Sequence, residues 1–217
     1  MRIGILGSGL MGGKLGTLFA KAGHDVVFSY AHSDAKLQRL AQEAGKKARA
    51  GTPRKAAEDA DVVLLAVHWS RVDDVLEQAG DLSGKIIISC TLPMSRDDTA
   101  LVVAHTTSGA EGIARKKRKA RVVSAFSTAP SEVLFDVFAK RKRKSRPSMV
   151  FCGDDWRAKK VAAGLIRQLG FDPVDVGPLE TARFIEPASL LIAKIAYDGD
   201  AGPAVAYRFE YLVERER

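Results

Sequence analysis

Residues 2–21 read RIGILGSGLMGGKLGTLFAK. Their order predicts a buried strand, a glycine turn and a helix. RIGIL (2–6) is a short run of the kind that buried parallel strands show. GSGLMG (7–12) is G-x-G-x-x-G. Over 11–22 Met11, Leu15, Leu18, Phe19 and Ala22 share one helical face. A glycine fingerprint between strand and helix is the context in which it binds a dinucleotide. Gly7 then permits the tight turn, Gly9 lets a pyrophosphate approach the backbone, and Gly12 lets the helix pack closely on the strand. Free N–H groups and the dipole of the helix N-terminus hold the anion. Gly13 and Gly16 each cost a helix roughly 1 kcal/mol against Ala, so close packing is their expected reason.

Outward from this unit, strands are expected at 25–29, 62–67, 85–89, 121–125, 148–152 and 173–176, with helical stretches between them. Helix 155–169 carries Val161, Leu165, Ile166 and Leu169 on one face, with Asp154 or Asp155 as its cap. The alternation predicts an α/β fold: a Rossmann-like, doubly wound, mostly parallel sheet with a small C-terminal helical extension. The expected division is a dinucleotide-binding domain over 1–178 and a small helical region over 179–217. The latter holds the apolar stretch ASLLIAKIAY (188–197), as core or as a dimer face, then DGDAGP (198–203) and a last short helix.

The second strand leads into FSYAHSD (28–34). A carboxylate at its end would accept from an adenosine 2′-hydroxyl and repel a 2′-phosphate. The chain has Ser29 and Tyr30 there, with His32 and Lys36 following. Hydroxyl donors and a cation suit a phosphate, so NADP(H) is expected over NAD(H). The alternative is that Asp34 folds back to the ribose.

The chain has 217 residues, 46% of them apolar, and a formal charge of +8. Two runs carry the charge, RKKRKAR (115–121) and KRKRKSR (140–146), each with six Lys or Arg. Without these twelve, 22 basic residues face 26 acidic ones. Basicity so confined argues against a fold-wide nucleic-acid footprint, and neither run is interleaved with aromatics. The runs read as solvated surface, or as a funnel that draws polyanionic cofactors. Two cysteines, Cys90 and Cys152, are too few for a disulfide framework and lack metal-ligand spacing. No metal site and no membrane segment are expected, and a cytoplasmic location is.

Two further strand ends bear chemistry. His68 follows the 62–67 strand at its carboxyl end, where open α/β sheets place ligands, with Trp69 beside it. SCTLP (89–93) ends another strand at the same edge, so Cys90 and Pro93 are candidates to shape a nicotinamide pocket. His24 and His105 read as structural.

Together GSGLMGG (7–13), AVHW (66–69), VVSAFSTAPSEVLF (122–135), CGDD (152–155) and VDVGPL (174–179) resemble the coenzyme F420-dependent NADP oxidoreductases, relatives of the pyrroline-5-carboxylate reductase cofactor domain. The resemblance runs from about residue 1 to about residue 197. It implies hydride transfer between NADP(H) and a deazaflavin, with coenzyme F420 as co-substrate, in a homodimer. It places cofactor contacts at Gly7, Ser8, Gly9, Leu10, Met11, Ser29, Tyr30, Ala66, Val67 and His68. It places Ala125, Phe126, Ser127 and Thr128 along the reacting end. The chain departs from the family pattern in having Tyr30 where Arg is common and Ser127 where His is common. Such a reaction needs positioning and a dry site more than acid–base groups. Two other readings are an NADPH-dependent reductase of a flavin, metal chelate or imine, and a dinucleotide-binding sensor without turnover.

Overall fold

The computed structural model describes residues 1–200, 202–210 and 212. Its strands are β1 (Arg2–Leu6), β2 (Asp25–Ser29), β3 (Ala48–Ala50), β4 (Val62–Leu65), β5 (Ile86–Ser89), β6 (Arg121–Ala125), β7 (Ser148–Gly153) and β8 (Asp172–Asp175). They form one sheet in the order β3-β2-β1-β4-β5-β6-β7-β8. Every ladder is parallel except β6 with β7. The chain winds outward from β1 to β3, then returns to lay β4 on the other side of β1. That reversal opens a crevice at the carboxyl ends of β1 and β4, the place where such sheets bind ligands.

The helices are α1 (Leu10–Lys21), α2 (Asp34–Ala44), α3 (Pro53–Glu58), α4 (Val72–Ala79), α5 (Gly109–Lys116), α6 (Leu134–Ala139), α7 (Trp156–Gln168) and α8 (Ala182–Tyr197). They cover both faces of the sheet. α1, α2, α6 and α7 pack on Ile3, Ile5, Val62 and Leu64, while α3, α4, α5 and α8 pack on Leu6, Val63, Leu65 and Ile87. Strand side chains alternate between the two cores, so the central strands β1, β4 and β5 are almost wholly apolar and buried. Asp155 is the cap of α7, accepting from Ala158 N at 2.8 Å, and its neighbour Asp154 accepts from Leu179 N at 2.8 Å.

The expected elements are present, with three differences. β3 escapes notice because ARA carries no β-branched residue; it forms as an edge strand on β2. The expected 62–67 strand ends at Leu65. The expected last helix is absent from residues 202–210, which are irregular. The reason lies in β7. β6 stops at Ala125, opposite Phe151, so the start of β7 lacks a partner on that side. The C-terminal segment supplies one: Ser148 N donates to Tyr207 O at 2.8 Å, Val150 N to the Tyr207 hydroxyl at 3.3 Å, and Phe209 N to Ser148 Oγ at 3.0 Å. Strand N–H groups left bare would cost more than a short helix gains.

Gly16 lies where α1 crosses the sheet. A Cβ there would fall 2.3 Å from Phe28 Cε1 and 3.1 Å from Ile5 Cγ1, both on fully or nearly fully buried side chains. Gly16→Ala is therefore expected to destabilise by about 1–3 kcal/mol. Urea titration should show a lower midpoint at an unchanged slope.

Candidate functional site

The turn between β1 and α1 is held by contacts that no side chain would fit. Gly7 has φ 109°, and a Cβ on it would lie 2.4 Å from Ala66 O. A Cβ on Gly12 would lie 1.9 Å from Gly7 O. Ala66 and Val67 back the loop from the end of β4: Ala66 Cβ faces Gly12 and Val67 Cγ1 faces Gly7. Gly9 differs. A Cβ there would meet nothing within 4 Å, so its side of the loop opens onto the crevice. Gly9 caps α1 without a side-chain hydrogen bond, and no acidic residue sits in the first turn. The first N–H groups of α1 thus point unpartnered into that space. This is an anion cradle, and a dinucleotide pyrophosphate fits it.

On one side of the cradle lies a groove of about 510 Å³ at the ends of β2 and β3. Tyr30, Ala31, Asp34 and Gln38 form one wall; Gly51, Thr52, Lys55 and Gln78 form the other. Tyr30 is held at φ 58°, and its hydroxyl donates to the Asp74 carboxylate. Gln78 donates to the same carboxylate at 2.9 Å. Burial first, then Asp74, pushes the Tyr30 hydroxyl up to about 12. Four expected residues do not present a free side chain to this groove. Ser29 is fully buried and its hydroxyl donates to Ile5 O at 2.7 Å, so nothing remains for a phosphate. Ser8 is sealed in the same way: its hydroxyl donates to Ser29 O at 2.8 Å and its N–H to Tyr30 O at 3.0 Å. His32 and Lys36 are not among the groove's walls; between them Ser33 caps α2, its hydroxyl accepting from Lys36 N. The cation that does line the groove is Lys55, and the acid is Asp34. Sequence reasoning missed Lys55 because the unnoticed β3 is what carries it there.

On the other side lies an apolar pocket of about 260 Å³. Leu10 and Met11 of the loop open it, Cys90 and Leu92 floor it, and Ser127, Ala129 and Pro130 form one wall. The opposite wall is α8, through Ser189, Ile192, Ala193 and Tyr197. Of the four residues expected at the reacting end only Ser127 faces the pocket; it accepts from Ser189 Oγ at 3.1 Å. Ala125 and Phe126 are fully buried, Phe126 edge-on to Phe19 with φ 68°. Thr128 bonds the Tyr207 hydroxyl at 2.7 Å. The left-handed turn at Phe126 sends its ring into the core and presents the next side chain outward. The Cys90 thiol donates to Leu65 O at 3.4 Å and burial pushes it up to about 12. Tyr197 donates to Glu132 at 2.8 Å; burial first, then Glu132, also pushes it up to about 12.

Pro93 and His68 are displaced from the pocket. Pro93 is buried beside Gly109. His68 caps the turn Trp69–Arg71 through Ser70 N at 3.2 Å, and its Nε2 lies 3.2 Å from both Ser95 O and the Asp98 carboxylate. It therefore fastens the 94–101 loop. His24 is buried, with Gln168 at 2.6 Å, and is structural. The basic run 115–119 lines a separate groove with Asp81 and Ser83, at the amino ends of β5 and β6, the sheet edge opposite the glycine loop. Its position does not serve as a funnel to the crevice. Among the described residues no three His, Cys, Asp or Glu are grouped to hold a metal ion, and no helix is long and apolar enough to cross a membrane.

Residues 2–93 match the family described as NADP oxidoreductase, coenzyme F420-dependent. The F420-dependent NADP reductase of Methanothermobacter marburgensis is 26% identical over 210 residues, covering 90% of this chain and 92% of that one. The likeness to this family model thus covers the N-terminal part of the chain, up to Pro93. The rat Metalloreductase STEAP3 is 27% identical over 189 residues, 87% of this chain; the chain spans 36% of that protein's length. Among solved structures, a candidate F420-dependent NADP reductase from Arthrobacter sp. FB24 superposes with a TM-score of 0.85 at 24% identity, covering 97% of this chain and 100% of that one. A reductive aminase from Aspergillus terreus, in complex with NADPH, superposes with a TM-score of 0.64 at 18% identity, over 88% of this chain and 60% of that one. These two likenesses are of fold.

Cys90 and Cys152 are both buried and both pushed up to about 12, by burial in each case. Neither is expected to react with a thiol-directed chromogenic disulfide at about pH 8 in the folded protein. Both should react on denaturation. Release from the folded chain would mean that the floor of the apolar pocket is more open than its packing shows.

Proposed function

We propose that this chain transfers a hydride between NADP(H) and the deazaflavin of coenzyme F420, bound in the apolar pocket beside the glycine loop. The observation that carries the reading is that the glycine turn stands between two spaces: Tyr30, a wall of the groove, accepts from Ser8 N of the turn, and Leu10 and Met11, which follow the open Gly9, line the apolar pocket. Groove, turn and pocket stand in the order of a dinucleotide's adenosine, pyrophosphate and nicotinamide. In this reading residues 1–178 hold the dinucleotide and the region from 179 closes the acceptor side.

The chain's part is to bind, orient and keep water out. Backbone N–H groups of Leu10, Met11 and Gly12 hold the pyrophosphate. Tyr30, rigid through Asp74, offers a ring to the adenine, and Lys55 meets the 2′-phosphate in place of Ser29, His32 and Lys36. When bound, NADPH would supply the hydride and the deazaflavin would accept it, with a solvent proton completing the reduction. The two titratable groups of the pocket, Cys90 and Tyr197, stay protonated near neutral pH. Neither is a ready general acid, which favours a flat acceptor that takes hydride directly over one that needs a proton from the protein. A second reading is an NADPH-dependent reductase of another acceptor, a flavin, imine or metal chelate; Ser127, at the place of the common His, is the observation that favours it. The reading includes a homodimer through the outer face of α8, where Phe184, Leu191 and Ile195 are exposed, and a cytoplasmic location.

The test is anaerobic absorbance with purified protein, oxidised F420 and either NADPH or NADH. The deazaflavin band should fall with NADPH and much more slowly with NADH. NADPH binding without bleaching would move the protein to the second reading; binding with no acceptor reduced at all would leave a sensor. Lys55→Ala should raise the KM for NADPH about tenfold and spare that for NADH. Equal losses for both cofactors would remove Lys55 from the 2′-phosphate.

A further inference from the structure

We propose that Glu186 is the positioning residue of the acceptor pocket: its buried carboxylate ties α8 to the first turn of α5 and so sets how far α8 stands from the Ser127 wall. This rests on the reading that the apolar pocket takes the acceptor. Glu186 is 2% exposed. Its two oxygens divide between two backbone donors, Gly109 N at 2.9 Å and Ala110 N at 3.0 Å. One turn earlier on α8, Arg183 grips Glu111 through two bonds of 2.9 and 2.7 Å. α8 is thus fastened to α5 at its beginning. One turn later it becomes the pocket wall, where Ser189 touches Ser127.

The anchor is rigid at its far end as well. A Cβ on Gly109 would lie 3.2 Å from both Pro93 Cδ and the Trp69 ring, and 3.3 Å from Glu186 Oε1. The N-terminus of α5 is therefore wedged, and a carboxylate that reaches it inherits its position. Between the anchor and the wall sits Pro187, which has no N–H to give to the preceding turn. The wall is held less by its own helix at this point and more by Glu186. An uncharged cap would satisfy two N–H groups without the desolvation cost of a buried carboxylate. Here the same group also fixes a pocket.

The charged and titratable groups near the carboxylate are Glu111 of α5, Arg183 of α8, Cys152 of β7 and Asp154 beyond it. Burial first pushes Glu186 up to about 7; the Gly109 and Ala110 N–H groups pull the other way, and Glu111 adds to the rise. An undocked α8 would return the group to its ordinary value of 4.5. The docked form then keeps a proton that the undocked form sheds. Docking is strongest at low pH, weakens as pH rises from about 4.5 to about 7, and is level above that.

The experiment measures KM for F420, and NADPH affinity by fluorescence, in the native protein, Glu186→Gln and Glu186→Ala between about pH 5 and about pH 8. Glu186→Ala should raise the KM for F420 about tenfold and leave NADPH affinity within about twofold. Glu186→Gln should flatten the rise in KM that the native protein shows across that window; ligand titrations are common to both proteins and cancel. A native pH profile in Glu186→Gln, or equal losses for both ligands, would overturn the role. If the native protein does not reduce F420, the acceptor reading falls and hydrogen exchange decides Glu186. Lost protection over 189–197 in Glu186→Ala, with α1 still protected, supports positioning; unchanged protection overturns it.

Discussion

Everything in this molecule that resembles a site depends on one close approach, that of the α1 backbone to the turn after β1. Gly12 sits so near Gly7 O that a single methyl group would occupy the same space, and Gly7 does the same against Ala66. This contact locks the helix start over the crevice between β1 and β4. It also leaves Gly9 facing empty space. The two effects belong together. A helix that stood farther from the sheet would aim its free N–H groups elsewhere, and the fixed positive end of its dipole would have no defined target.

From that fixed point the site extends two ways, and the two sides are built differently. The groove beside Tyr30 is made of loop ends and is polar, with one acid and one lysine facing it. The pocket beside Met11 is made of two packed walls and is apolar. One wall is the turn after β6, set by the left-handed Phe126. The other is α8, which comes from the far end of the chain. α8 does three jobs along sixteen residues. Ala182 and Ile185 enter the core, Glu186 takes the N-terminus of α5, and Ser189, Ile192, Ala193 and Tyr197 face the pocket. Its outer face keeps Phe184, Leu191 and Ile195 in the open.

The C-terminal segment illustrates how a local preference yields to an unpaired edge. β6 is too short to cover β7, and Tyr207 accepts from the bare N–H groups of Ser148 and Val150. The same tyrosine receives Thr128, which removes that residue from the pocket it was expected to line. A demand for hydrogen bonds at one strand end thus decides both the form of the tail and the membership of the site.

The sequence by itself determined the alternation of strand and helix, the glycine turn with the tight fits of Gly7 and Gly12, and a cap at Asp154 or Asp155, of which the structure uses Asp155. These follow from periodicity and from residues whose conformational limits act within a few positions. Only the tertiary structure decided which side chains face the ligand spaces. Ser29 and Ser8 carry the right hydroxyls, yet their partners are carbonyls on neighbouring strands, and a buried hydroxyl must bond what is nearest. Lys55 enters the groove because β3 pairs beside β2, and α8 walls the pocket because Glu186 reaches α5 across 76 residues. Such contacts are long in sequence and short in space, and no local pattern encodes them.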